Sequence, residues 1–265
     1  MTLGACIEGV GLLGPGLEDW ATGAAVLAGE RPYLPAPTAL PAPSILPAAE
    51  RRRSGASVRL ALAVGLQASR HAGADPRMLG SVFASSGADG ANCHEICVAL
   101  ADSRREMSPT RFTNSVHNAA SGYWSIAVGC MQPSQVLCAY DASFAAGLLE
   151  ALVRVSLDAQ PILLVVSDTQ YPEPLHAKRP IADAFGVGLV LSARCGVRGI
   201  AWIEATLESG EAETLPQRSL ETLRTTVPAA RALPLLAALA SQAPRRATLE
   251  YLGGMRLGVD IRPCS

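Results

Sequence analysis

The sequence predicts an α/β fold: a mainly parallel mixed sheet flanked by helices, closed by a small α+β C-terminal tail. Three observations carry this. Strand-like and helix-like stretches alternate along most of the chain, and Ile162–Ser167 is an almost wholly apolar run of the kind a sheet covered on both faces requires. The last fifty residues hold one helical stretch and two strands around Gly253-Gly254, a hairpin signal. Hydrophobic residues make up 49% of the 265 and charged residues 17%, a balance that leaves apolar surface to hide inside the core or against another subunit.

In chain order, Leu3–Gly11 reads as a strand running into a turn, and Glu18–Ala28 as a short helix. Pro32–Pro47 contains six prolines in sixteen residues, which removes backbone donors and leaves an extended connection. Ser57 is placed to cap a helix through His71. Leu79–Ser86 is a buried strand, Asn92–Arg105 a helix and Ser121–Val128 a shorter one. Ser134–Tyr140 is a strand, Ala142–Leu157 a helix and Ile162–Ser167 a strand, an order that implies parallel pairing. Val187–Ala193 and Gly199–Leu207 follow as expected antiparallel neighbours. A helix over Ala229–Ser241 precedes strands Ala247–Leu252 and Arg256–Ile261. The division predicted is 1–208 for the main domain and 209–265 for a helix plus two-strand cap.

Composition excludes several function classes. A net charge of −1 gives no basic field for nucleic acid. Met1–Val10 lacks a basic segment ahead of an apolar one, and Phe144–Val166 is broken by Glu150, Arg154, Asp158 and Pro161, so a soluble, cytoplasmic protein without a membrane span is expected. Seven scattered cysteines suit free thiols. Cys93 and Cys97 share an i, i+4 spacing but lack a second ligand pair, so no metal site is expected there. Gly9-Val10-Gly11-Leu12-Leu13-Gly14 spells the dinucleotide fingerprint, yet a proline-rich coil stands where its second strand belongs; glycines packing closely on a neighbour are the better account. Lys178 is the only lysine, so no phosphate loop exists, and no cofactor is expected. The loop Tyr171–Pro180, with His176, Lys178 and Arg179, reads as solvated and able to contact an acidic partner.

Residues Ser108-Pro109 through Asn118, Gly122, Gly129 and Pro133 to Asp141 resemble, without a gap, the stretch of β-ketoacyl-acyl-carrier-protein synthases that leads to their catalytic cysteine. Ile7–Gly11, Gly16, Trp20 and Gly29, then Glu50-Arg51-Arg52, then Phe185–Leu191, resemble other elements of those enzymes, so the likeness spans roughly the first 205 residues. It implies a thiolase-like half. It also implies that Asp141 occupies the nucleophile's position, and that the two histidines supplied by a synthase's second half are lacking, since no histidine follows His176. A carboxylate there makes a poor nucleophile and a high-energy anhydride, so no catalytic residue is expected. The plain role open to Asp141 is an N-cap for the Ala142 helix.

Ser115–Asn118 and Ser143–Ala151 together are similar to short chain length factors, the inactive partners of active synthases in aryl-polyene-type pigment pathways. The resemblance implies a full-length β-ketoacyl-acyl-carrier-protein synthase as partner, with acyl carrier protein as a second candidate. It puts Ser134–Tyr140 at the dimer edge and Pro109–Trp124 at the partner's acyl tunnel. Arg111, Phe112, Val116, His117, Asn118, Trp124 and Phe144 are the candidate tunnel and interface residues. Two other readings stand beside it: a free-standing acyltransferase or decarboxylase using Asp141 with His117, and a purely structural stabiliser of a ketosynthase.

Overall fold

A computed structural model describes residues 3–264, which build one eight-stranded mixed sheet in the order β3-β2-β4-β5-β1-β6-β8-β7. The strands are β1 (Leu3–Leu13), β2 (Gly80–Ala84), β3 (Ser134–Leu137), β4 (Ile162–Asp168), β5 (Phe185–Ser192), β6 (Ala201–Glu208), β7 (Arg245–Glu250) and β8 (Arg256–Pro263). Parallel pairing is confined to β2 with β3 and with β4; the five other pairings are antiparallel. The expected neighbours β5 and β6 are not paired. Both flank β1, because β1 is long enough to give its first half to β6 and most of its length to β5. Among the described residues no helix is long and apolar enough to cross a membrane.

The helices are α1 (Trp20–Leu27), α2 (Ala48–Arg53), α3 (Ala56–Ala72), α4 (Gly90–Ala101), α5 (Pro109–Thr113), α6 (Ala119–Val128), α7 (Ser143–Asp158), α8 (Leu175–Lys178), α9 (Arg218–Thr226) and α10 (Leu233–Ala240). The period-two alternation of β4 divides the core: Ile162, Leu164 and Val166 face a cluster with α7 and α10, whereas Leu163 and Val165 face one with α3 and α6. Of the fingerprint-like glycines, Gly9 and Gly11 lie inside β1 and let α3 settle onto the sheet, whereas Gly14 follows the strand and faces Phe185. A Cβ on Gly11 or Gly188 would stand 2.1 or 2.5 Å from the Val64 carbonyl oxygen. Beyond Ile7, where β6 no longer pairs with β1, α3 also supplies acceptors: Leu12 N–H donates to Gln67 Oε1 (2.8 Å) and Val10 N–H to His71 Nδ1 (3.1 Å).

Several local expectations change. Gly55 stands at the α3 N-cap, and Ser57 instead donates to Asp89 Oδ2 (3.0 Å), the carboxylate whose other oxygen caps α4 through Asn92 N–H. The helix expected over Ala229–Ser241 is a 3₁₀ segment, Pro228–Ala232, followed by α10. Pro234 explains the break, since it fits a helix's first turn and not its interior. Beyond residue 208 the chain carries α9, unforeseen in the sequence, and β7 and β8 join the main sheet.

Candidate functional site

The parallel strands β3, β2 and β4 end on the same side, where a sheet of this kind presents polar groups. After β2 come Ser85 and Ser86, after β3 the turn Cys138–Asp141, and β4 ends on Asp168. Asp168 Oδ1 accepts from both the Ser86 N–H (2.8 Å) and its hydroxyl (2.7 Å). Its Oδ2 is buried without a hydrogen-bond partner. Burial outweighs the hydrogen bonds and the nearby Arg179 charge, which act the other way, and pushes the Asp168 carboxyl up to about 6. Cys138, exposed, donates to the Ser86 carbonyl (3.1 Å).

The turn itself is tight. Tyr140 has φ +52°, an uncommon value for a side-chain-bearing residue, and Tyr140–Ala142 forms a 3₁₀ turn into α7. Asp141 does not cap α7. The turn is instead closed by Ser143, whose hydroxyl donates to the Tyr140 carbonyl (2.7 Å) and accepts from Ala139 N–H (3.1 Å). The Asp141 carboxylate turns away to two arginines: Arg179 Nη2 lies 2.7 Å from Oδ1 and Arg231 Nη2 3.3 Å from Oδ2. Arg179 also lays its guanidinium 3.7 Å over the Tyr140 ring. Arg231 pairs in addition with Glu250, which binds Arg224 (2.9 Å), itself 5% exposed and paired with Glu221 (2.6 Å). Six charged residues, Asp141 among them, therefore link this turn to the C-terminal segment. With a guanidinium against each oxygen, the Asp141 carboxylate is paired rather than free, which lowers its nucleophilicity towards a thioester.

The loop read as solvated thus turns Arg179 inward, and the acid it meets is the chain's own Asp141. Arg231 and Asp168 were also missed. Each left a signal: Arg231 is a lone charge in the apolar run Val227–Ala240, and Asp168 ends an otherwise apolar strand.

The candidate tunnel residues divide into two sets. Arg111, paired with Glu95 (3.2 Å), lies near exposed Phe112, and Val116, His117 and Asn118 are also exposed around α5 and the start of α6. Val116 and His117 line a cavity of about 30 Å³ with Phe83, Ser85, Asp89 and Ser167. That is room for a water or two, far too little for an acyl chain. Trp124 and Phe144 depart from expectation. Both are 1% exposed, and they belong to the cores on opposite faces of the sheet, Trp124 packing on Phe83 at 6.4 Å between ring centroids. Large rings on inward-facing helix positions gain more from burial there than at a surface. His117 does not reach Asp141, whose partners are the two arginines.

The sequence profile of the β-ketoacyl synthase N-terminal domain matches residues 26–247. A search of curated proteins returns no significant match. Among solved structures, the ketosynthase ApeO in complex with its chain length factor ApeC from Xenorhabdus doucetiae is similar at 22% identity and TM-score 0.74, over 97% of this chain and 99% of that one. The ishigamide ketosynthase/chain length factor is similar at 16% identity and TM-score 0.71, over 99% of this chain and 100% of that one. A complex of a type II polyketide acyl-carrier protein with its ketosynthase, AntDE:AntF, is similar at 12% identity and TM-score 0.76, over the full length of both chains. These likenesses fix the fold.

Proposed function

The chain belongs to the family of β-ketoacyl synthase N-terminal domains, and from that premise we propose that it is a noncatalytic, chain-length-factor-like subunit, which pairs with an active β-ketoacyl-acyl-carrier-protein synthase and shapes its acyl tunnel in polyketide or aryl-polyene-type biosynthesis. The observation that carries this reading is the clamp on Asp141. Where a condensing enzyme needs a thiolate, this chain holds a carboxylate between Arg179 and Arg231.

The open edge at β3 supports the pairing. Pro133 and Leu137 carbonyls accept from Ser81 and Ser85 of the β2 side, so by the alternation of a strand the backbone groups of Ser134 and Val136 point outward, free to bond another chain. The stretch leading into that edge exposes Phe112, Val116, Ile126 and Met131, apolar surface that a partner would cover. Val116 and His117, exposed beside the small cavity there, are on this reading the stopper of a tunnel formed with the partner.

Co-expression with a full-length synthase and its carrier protein tests this. A stable complex is expected, with products that lengthen when Val116 and His117 are both replaced by alanine. Unchanged product length from an intact complex would remove the tunnel role and leave only a stabilising one. Capture of an acyl group on the purified chain would establish the acyltransferase instead.

A further inference from the structure

Three cysteines far apart in the sequence meet at one end of the sheet. Cys6 lies in β1, Cys195 in the turn between β5 and β6, and Cys264 directly after β8, and their sulfurs all lie within 4.8 Å of one another. Cys6 Sγ is 3.8 Å from Cys264 Sγ, which is 2.9 Å from Cys195 Sγ. Strand pairing fixes the arrangement: Ile200 N–H donates to the Ile7 carbonyl (2.8 Å), and the Ile200 carbonyl accepts from Cys264 N–H (3.0 Å). Gly199 backs the group. A Cβ there would stand 3.0 Å from the sulfurs of both Cys6 and Cys264, so the missing side chain leaves the space the thiols occupy.

We propose that Cys6, Cys195 and Cys264 form a three-thiolate site for a soft monovalent cation, Cu(I). Three converging sulfurs with no imidazole or carboxylate ligand select a thiophilic ion. A metal about 2.3 Å from each of three sulfurs in a plane spaces them about 4 Å apart, close to the 3.8 Å between Cys6 and Cys264, and the exposed Cys195, 2.9 Å from Cys264, has to move outward by about 1 Å to join them. Zn(II) in a structural site wants a fourth ligand, which this group does not offer, whereas Cu(I) is satisfied by three. The buried Cys6 anchors the site, and the exposed Cys195 gives the ion a way in. Binding releases the three thiol protons to solvent and oxidises nothing. The bound ion would fasten the last residues of β8 to β1.

The test uses the full chain, purified without oxygen and titrated with Cu(I) against a chelator, and separately with Zn(II). One equivalent of Cu(I) bound by three sulfurs in X-ray absorption is expected, with a rise in Tm. Cys195→Ser and Cys264→Ser should each weaken Cu(I) at least 100-fold, while the paired change Cys93→Ser with Cys97→Ser leaves it unaltered. Cys195 is at the surface, so its variant keeps the proposal testable even if Cys6→Ser fails to fold. Tighter binding of Zn(II) than of Cu(I), Cu(I) affinity that survives Cys195→Ser, or no uptake beyond the chelator's competition would each overturn it.

Discussion

The sheet has two edges, and they are finished differently. At β7 the edge is shielded: Arg245 pairs with Glu213 (2.5 Å), Arg246 with Asp260 (2.6 Å) and with Glu208, and the Glu213 N–H occupies the Thr248 carbonyl from outside (2.8 Å). At β3 the four residues Ser134–Leu137 carry no charge, and Ser134 and Gln135 are exposed. Charges on an edge discourage pairing with other chains, and an uncharged open one invites it. One fold thus discourages association on one flank and leaves it available on the other, the asymmetry that the proposed pairing with one partner would use.

Breaking that asymmetry at its open side should have the largest effect. Val136→Pro removes an outward N–H without touching the β2 ladder, and is expected to weaken the complex with a synthase at least 100-fold, about 3 kcal/mol, by surface plasmon resonance, with Tm of the isolated chain nearly unchanged. Equal affinity would mean that β3 is not the joined edge. Next comes the buried acid at the end of β4, Asp168, which holds Ser86 after β2. The folded Asp168 carboxyl binds its proton more tightly than the unfolded one, about 6 against 3.8. Its contribution is therefore full below pH 4 and is lost as the pH rises to 6, by up to about 3 kcal/mol. Urea unfolding of Asp168→Asn across that range should lack this decline; matching slopes would refute it.

Asp141→Ala leaves two half-buried arginines without their shared acid and is expected to cost about 2 kcal/mol in urea unfolding, less than a fully buried pair because Asp141 is partly solvated. Asp141→Cys should be similarly destabilised and show no condensing activity; turnover by that variant would mean that only the thiol was missing. The smallest effect belongs to the shielded edge. Arg246→Ala should lower stability by about 0.5–1 kcal/mol, yet raise self-association measured by light scattering, and a variant as monomeric as the parent would show that the charges are idle.

Much of this was legible in the residues. The strands were readable because each shows either alternation or an uninterrupted apolar run, and Asp141 stood out because the resemblance to the synthases expects a cysteine at that position. What failed is nonlocal. Nothing in Val187–Leu207 reveals that β5 and β6 straddle β1, since their sequences suit a hairpin equally well. Trp124 and Phe144 were candidate tunnel or interface residues by position along the chain, and the face each turns inward depends on α3 and α10 arriving from elsewhere. The partners of Asp141 lie 38 and 90 residues away in sequence, and the three clustered thiols up to 258, so no spacing rule could join them.

Arg231 touches Asp141, just beyond the open-edge strand, and Glu250, the last residue of the shielded one. A single guanidinium therefore works as a rivet between the first-formed half of the polypeptide and its tail. Until residue 231 has been made, the Asp141 turn is held by Ser143 and Arg179 alone, so its tie to the shielded edge forms late in synthesis.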